Sequence, residues 1–197
     1  MFITRVETLG LFTKLRQVPL KGFDRHLVYE NCDFSLERLN PNDLTVCQNY
    51  VLKPILEAQK SLWESLLEKG IDVTRLTKDH YVDWNGESIP VLPPIVEESF
   101  EAGGKTVLLI NDGLHRVTYA KTNNKSINVV VVRGVKQQYP YYAYPTARNW
   151  DSVEFLNELP PNYVKKTYRY PDRYKDYYRD FNSVFPGIQK DRPIPTV

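Results

Sequence analysis

Cysteine is scarce in this chain: Cys32 and Cys47 are the only two, and neither sits in a CxxC or Cys-His arrangement. Two isolated thiols exclude a disulfide-stapled fold and a zinc module, and they read as buried free cysteines. Long apolar runs are absent too, since none approaches the ~20 residues a membrane helix needs. The opening MFITRVETLGLF is interrupted by Arg5 and Glu7 and lacks the pattern of a signal peptide. A cytoplasmic chain with no membrane partner is the expectation. A formal net charge of +2 is too small for the overall field alone to announce a nucleic-acid binder. Ala102-Gly103-Gly104-Lys105 is not a phosphate-binding Walker loop, because no GK[ST] stands at the required spacing. Neither an internal repeat nor a low-complexity tract is visible.

What is present is a chain of 197 residues, 42% hydrophobic and 25% charged, which fits a globular domain with additions. Its organising stretch is Thr106 to Gly134. Val107-Leu108-Leu109-Ile110 is an apolar run bounded by Gly104 and Gly113, and it predicts a buried central strand. Ile127 to Val132 is β-branched and predicts another. Between them lies room for about three helical turns, stopped by Asn123-Asn124. A helix opened by Asp112-Gly113 leaves amide groups unpaired in its first turn. His115 and Arg116 lie in that same turn, so free N–H groups, a positive dipole end and two potential cations predict an anion site, most plausibly for phosphate.

The flanks are read more coarsely. Met1 to Gly22 is mixed, compatible with a short strand or a first helical turn, and Arg25 to Phe34 suggests a strand. Asn40-Pro41-Asn42-Asp43 is a turn signal. Val51 to Lys69 is the clearest helix, with Pro54 in its first turn and Gly70 at its end. Tyr81 to Leu92 is a hairpin about Asn85-Gly86. Pro93-Pro94-Ile95-Val96 suggests a strand entering from a sheet edge, with Glu97 and Glu98 on opposite faces. Asp79, His80 and Asp83 are close enough to hold a metal, but nothing else at ligand spacing supports them. Trp150 to Leu159 reads as a short helix. Tyr163 to Phe185 interleaves tyrosines with lysines and arginines. That pattern serves either base stacking or a helical tail with i,i+4 ion pairs that packs its tyrosines on the main domain.

Asn111-Asp112-Gly113-Leu114-His115-Arg116, at a strand end and opening a helix, resembles the signature of the ParB/sulfiredoxin superfamily, whose ParB-like N-terminal domains carry a Gly-x-[His/Arg]-Arg motif. Sulfiredoxins have Gly-Cys-His-Arg there, ParB proteins Gly-Glu-Arg-Arg, and ADP-dependent free serine kinases Asp-Gly-His-His-Arg. This motif is most similar to the kinase type. The resemblance covers roughly Phe34 to Gly134. It implies a mixed α/β (α+β) fold with a small sheet and flanking helices. A nucleotide-binding domain would span residues 1–137, and residues 138–197 would form a Tyr/Pro-rich extension packing on it. It further implies that Asp112, Gly113, Leu114, His115 and Arg116 bind nucleotide phosphates, with ATP or ADP and Mg²⁺ as cofactors and Asp112 at the metal.

In the free serine kinases a carboxylate after a Leu-x-Pro segment is the general base for the substrate hydroxyl. Asp43, after Leu39-Asn40-Pro41, falls in the corresponding place, although an Asx residue there also serves as a simple turn or helix cap. Gln48, Asn49, Arg148 and Lys165 are secondary candidates for the same cleft. Leu114 stands where sulfiredoxin has its nucleophilic cysteine, which excludes sulfinic-acid repair. The resulting expectation is phosphotransfer to a small-molecule acceptor or nucleotide hydrolysis. The alternative is a ParB-like nucleic-acid binder or nuclease using the basic, aromatic tail.

Overall fold

The computed structural model describes residues 3–5, 10–84 and 86–188. Its centre is a four-stranded sheet in the order β2-β8-β6-β7, where β2 is Asp33–Leu39, β6 Ile95–Glu101, β7 Lys105–Asp112 and β8 Ile127–Arg133. β2 runs antiparallel to β8, β8 parallel to β6, and β6 antiparallel to β7. This is the mixed α/β architecture expected from the pattern. The placement of two strands differs from expectation. β7 is an edge strand rather than the central one, and β6 is interior rather than at the edge. Pro93 and Pro94 precede β6, so they remove no donor from its ladder. The open side of β7 is partly covered by Thr45, whose amide donates to Leu108 and whose carbonyl accepts from Ile110.

The run INVVVVR of β8 is apolar throughout because both of its faces are covered. Val129 and Val131 pack with Val96, Ile110 and the helix residues Val117 and Ala120. Val130 and Val132 face the other way, onto Leu11 and Leu15 of helix α1 (Leu11–Arg16), Tyr29, Phe181 and Phe185. Helix α3 (Leu114–Thr122) follows β7 directly, as its Gly113 and Asn123 flanks predict.

Helix α2 (Lys53–Glu68) starts two residues later than its hydrophobic pattern suggests, because Tyr50–Leu52 is taken by strand β3. It buries Leu62, Trp63 and Leu66 against Val82 and Val91 of the hairpin β4 (His80–Trp84) and β5 (Glu87–Val91). A short strand, β1 (Ile3–Arg5), pairs with β4. Trp63 also meets Tyr119 of α3, with ring centroids 5.0 Å apart.

Three expectations of local structure are corrected. Residues 28–31 form turns after a lone bridge at Leu27, and the strand in that region is β2, one step later. Trp150 to Leu159 is not a helix: a 3-10 turn at Asn149–Ser152 leads into strand β9 (Glu154–Leu156), which pairs parallel with β3. The tail is not helical either. It runs as turns and 3-10 segments, so its aspartates pair otherwise, Asp176 with Arg173 and Asp180 with Arg25.

The tail is fixed by Arg179. This side chain is fully buried and donates from Nε and Nη2 to the two oxygens of Glu97 on β6, at 3.0 and 2.6 Å. Its remaining donors reach the carbonyls of Tyr139, Pro140 and Tyr177. Tyr29 donates its hydroxyl to Glu97 at 2.8 Å, and Asn111 donates to Tyr29 at 2.6 Å. Four distant segments of sequence therefore meet at one buried charge pair. Glu97 is committed to this network, while Glu98, on the opposite face, lies 3.6 Å from Arg133. Cys32 belongs to the same core, and burial, then the Glu97 charge, push its thiol up to about 11, as fits an inert cysteine.

Candidate functional site

β7 ends at Asp112, and the chain turns into α3 through Gly113. That glycine has φ 88° and ψ 23°, a left-handed conformation. A Cβ there would lie 2.8 Å from Nη2 of Arg116 and 2.9 Å from Cβ of Pro94. Glycine is therefore required both by the dihedral and by the space. No side chain caps the helix start, so its first-turn amides keep their donor capacity.

Arg116 lies one turn along and folds back, with Nη2 2.8 Å from Oδ2 of Asp112. Both side chains are largely sunk, at 13% and 18% exposure. Two nitrogens in this turn, Arg116 Nε and His115 Nε2, are buried with no hydrogen-bond partner among the described residues. Buried polar atoms are normally satisfied, so a pair of orphans in one turn is an unusual feature.

The expectation of two cations is corrected here. Burial, then the neighbouring charge of Arg116, depress His115 to about 4, so its imidazole is neutral at neutral pH. It remains capable of one N–H donation and one acceptance.

A cavity of about 1070 Å³ opens on this turn, and Asn111 through Arg116 all line it. That is at the upper end of small-molecule sites. Its charge is one-sided. Lys21, Lys165, Lys166, Lys175 and Arg116 are on the wall, and among the described residues the only carboxylate there is Asp112, already paired. Trp63, Tyr142, Tyr168, Tyr174 and Tyr178 supply aromatic surface.

Much of that wall comes from the tail. Tyr168 and Tyr174 stack at 3.8 Å, and Tyr142 meets Tyr178 edge-on at 4.6 Å. The tail also touches the N-terminal region: the amides of Lys21 and Gly22 donate to Tyr178 and Asp176. Gly22 has no room for a side chain, since a Cβ would sit 2.5 Å from that of Asp176.

Asp43 is not brought to this cavity. It is exposed, on a 3-10 turn at Pro41–Asp43. Asn42 of that turn accepts a bond from Lys121, in the last turn of α3, and Trp150 donates to Pro41 and Leu44. The loop is thus held at the C-terminal end of the helix whose N-terminus carries the motif, roughly 10 Å away along the axis. Continuing past Thr45, the same segment does deliver Cys47 and Gln48 to the wall. Lys165 is there also, while Asn49 and Arg148 are not among the lining residues. Asp79 bonds Lys14 at 2.7 Å, and no cluster of three or more potential metal ligands occurs among the described residues.

A family model, the ParB CE domain, matches residues 10–154. The chain belongs to the ParB CE domain family. No curated protein and no solved structure matches it. In this ParB CE domain the matched region contains the Asp112–Arg116 turn, and Lys165, Lys166, Tyr168, Tyr174, Lys175 and Tyr178 of the cavity wall lie beyond it. Among the described residues no helix is long and apolar enough to cross a membrane.

Sequence reasoning missed Lys21, Lys166 and Lys175 as wall residues. The one signal for Lys166 and Lys175 was the Tyr/Lys alternation of the tail, which spacing could not assign to a ligand face, and Lys21 had no signal of its own.

Proposed function

We propose that this ParB CE domain binds a nucleotide, ATP or ADP with Mg²⁺, through the turn Asp112–Arg116. The observation that carries the reading is the cavity itself. Among the described residues it is walled by five cations against one carboxylate, at an uncapped helix start bearing two orphaned donor-capable nitrogens. Such a wall is expensive to assemble without an anion to neutralise it. The positive end of α3, the first-turn amides and the Arg116 guanidinium suit a diphosphate or triphosphate. His115 contributes as a neutral hydrogen-bonding group. Tyrosine and tryptophan surface in the same cavity suits a nucleobase.

Asp112 suits a Mg²⁺ ion held by one carboxylate and phosphate oxygens, the usual composition for that ion. Bound there, Mg²⁺ would supply charge neutralisation at the phosphates. Phosphotransfer to a small acceptor, or nucleotide hydrolysis, is the chemistry this arrangement supports best. Asp43 lies off the cavity, so this reading gives it no part in the transfer. The nucleic-acid reading is weaker, because the tail tyrosines on the wall pack against one another, Tyr168 stacked on Tyr174 and Tyr178 edge-on to Tyr142, rather than being displayed in a row.

A thermal-shift screen of ATP, ADP, AMP, GTP and a single-stranded oligonucleotide, with and without Mg²⁺, tests the proposal. A nucleotide at 100 times its Kd stabilises by ~2.7 kcal/mol, an upward shift of roughly 5–10 °C for a domain of this size. Assay of released phosphate then decides turnover. A shift with the oligonucleotide alone would overturn the reading.

A further inference from the structure

Resting on that reading, we propose that Lys166 is a phosphate-binding residue of the site, so that the tail completes the ligand-binding surface as well as covering the domain. The ligand portion it takes is the polyphosphate of a nucleoside di- or triphosphate.

The argument starts from how the chain treats its other sunken cations. Lys14 pairs with Asp79, Arg116 with Asp112, Arg169 with Glu101 and Arg179 with Glu97. Each has a carboxylate in direct contact. Lys166, which is half-buried, differs from these four. Its Nζ donates to the Tyr142 hydroxyl at 2.7 Å and to Sγ of Cys47 at 3.6 Å, and no carboxylate lies within ion-pair distance among the described residues. The rings of Tyr142 and Tyr141 lie 4.8 and 5.7 Å from it. These contacts orient the ammonium and shield it without cancelling its charge. Burial works against that charge, while the contacts with Cys47 and Tyr142 act in its favour, and the net direction is upward.

The location follows from the same contacts. Cys47 donates in turn to the carbonyl of Ile110 on β7, two residues before Asp112. Lys166 is therefore two hydrogen-bond steps from the strand that ends in the phosphate turn, and both Lys166 and that turn line one cavity. An ammonium held in place, uncompensated by any carboxylate among the described residues and facing a cavity beside a phosphate turn is completed by an anionic ligand.

The test is calorimetric titration of wild type, Lys166→Gln, Lys166→Arg and Arg116→Ala with ADP, ATP, inorganic tripolyphosphate and adenosine. Lys166→Gln should weaken ADP, ATP and tripolyphosphate by roughly tenfold or more and leave adenosine within twofold. Lys166→Arg should restore most of the loss. If Arg116→Ala loses affinity while Lys166→Gln binds ADP within twofold of wild type, the assignment of Lys166 is wrong and the nucleotide reading stands. If wild type binds neither the nucleotides nor tripolyphosphate, the underlying reading fails. Should Lys166→Gln not fold, amine labelling of wild type with and without ADP replaces it. Protection of Lys166 by ADP is expected, and equal labelling with ADP demonstrably bound overturns the assignment.

Discussion

Replacing Arg179 by methionine removes the charge on which the tail is fastened. The guanidinium is fully buried and makes five hydrogen bonds, two to Glu97 and three to main-chain carbonyls. Methionine fills comparable space but leaves Glu97, 2% exposed at its side chain, as a buried carboxylate without its counter-ion. Breaking a buried pair from one side costs about 3–5 kcal/mol. For a chain of this length each kcal/mol lowers Tm by roughly 2–4 °C, so a fall of roughly 6–20 °C is expected in calorimetry. The companion is Arg179→Met combined with Glu97→Gln. A neutral amide at 97 removes the stranded charge, so the double variant should recover about 1–3 kcal/mol relative to Arg179→Met alone. If Arg179→Met costs less than about 1 kcal/mol, or if adding Glu97→Gln lowers stability further by its full separate cost, the network is not the anchor argued for it.

Three further outcomes follow from the site. The folded-state pKa of His115 is lowered to about 4, below its ordinary value of 6.5. Between those values the unfolded chain holds a proton the folded chain does not. The stabilisation, on the order of 3 kcal/mol, is therefore complete above pH 6.5 and lost as pH falls towards 4. Urea unfolding from pH 4 to 7 should show this slope in wild type and a shallower one in His115→Asn; equal slopes would contradict it. Gly113→Ala forces a left-handed alanine whose methyl meets Arg116 and Pro94, and it should cost about 1–2 kcal/mol or more and weaken nucleotide binding. Asp43→Asn should leave both nucleotide affinity and any phosphate release within about twofold of wild type, a change under ~0.5 kcal/mol. A collapse of turnover alone would return that residue to the mechanism.

The legible parts of this chain are those whose punctuation is local. Gly113 and Asn123 bracket α3, the hairpin β4–β5 forms where the alternation predicts it, with Asn85 of its expected turn outside the described residues, and the amphipathic stripe with Gly70 defines α2. The motif turn was legible for the same reason, because strand end, glycine and helix start are contiguous. Strand order was not. Nothing within β6 or β7 states that β6 lies between β7 and β8, since that depends on which apolar faces α1, α3 and the tail cover. The position of Asp43 was hidden likewise. Its loop is placed by Trp150 and Lys121, more than 75 residues away. In the tail, Arg179 looked like one of many surface cations until Glu97, 82 residues earlier, was seen to neutralise it.

The most direct test of the nucleotide site is calorimetric titration of ADP with Mg²⁺ into wild type and Arg116→Ala, both verified as folded. Charge-assisted bonds from a guanidinium contribute about 1.5–3 kcal/mol, so the variant should bind roughly 10- to 150-fold more weakly. Equal affinity in the two proteins would contradict the placement of the phosphates at the start of α3.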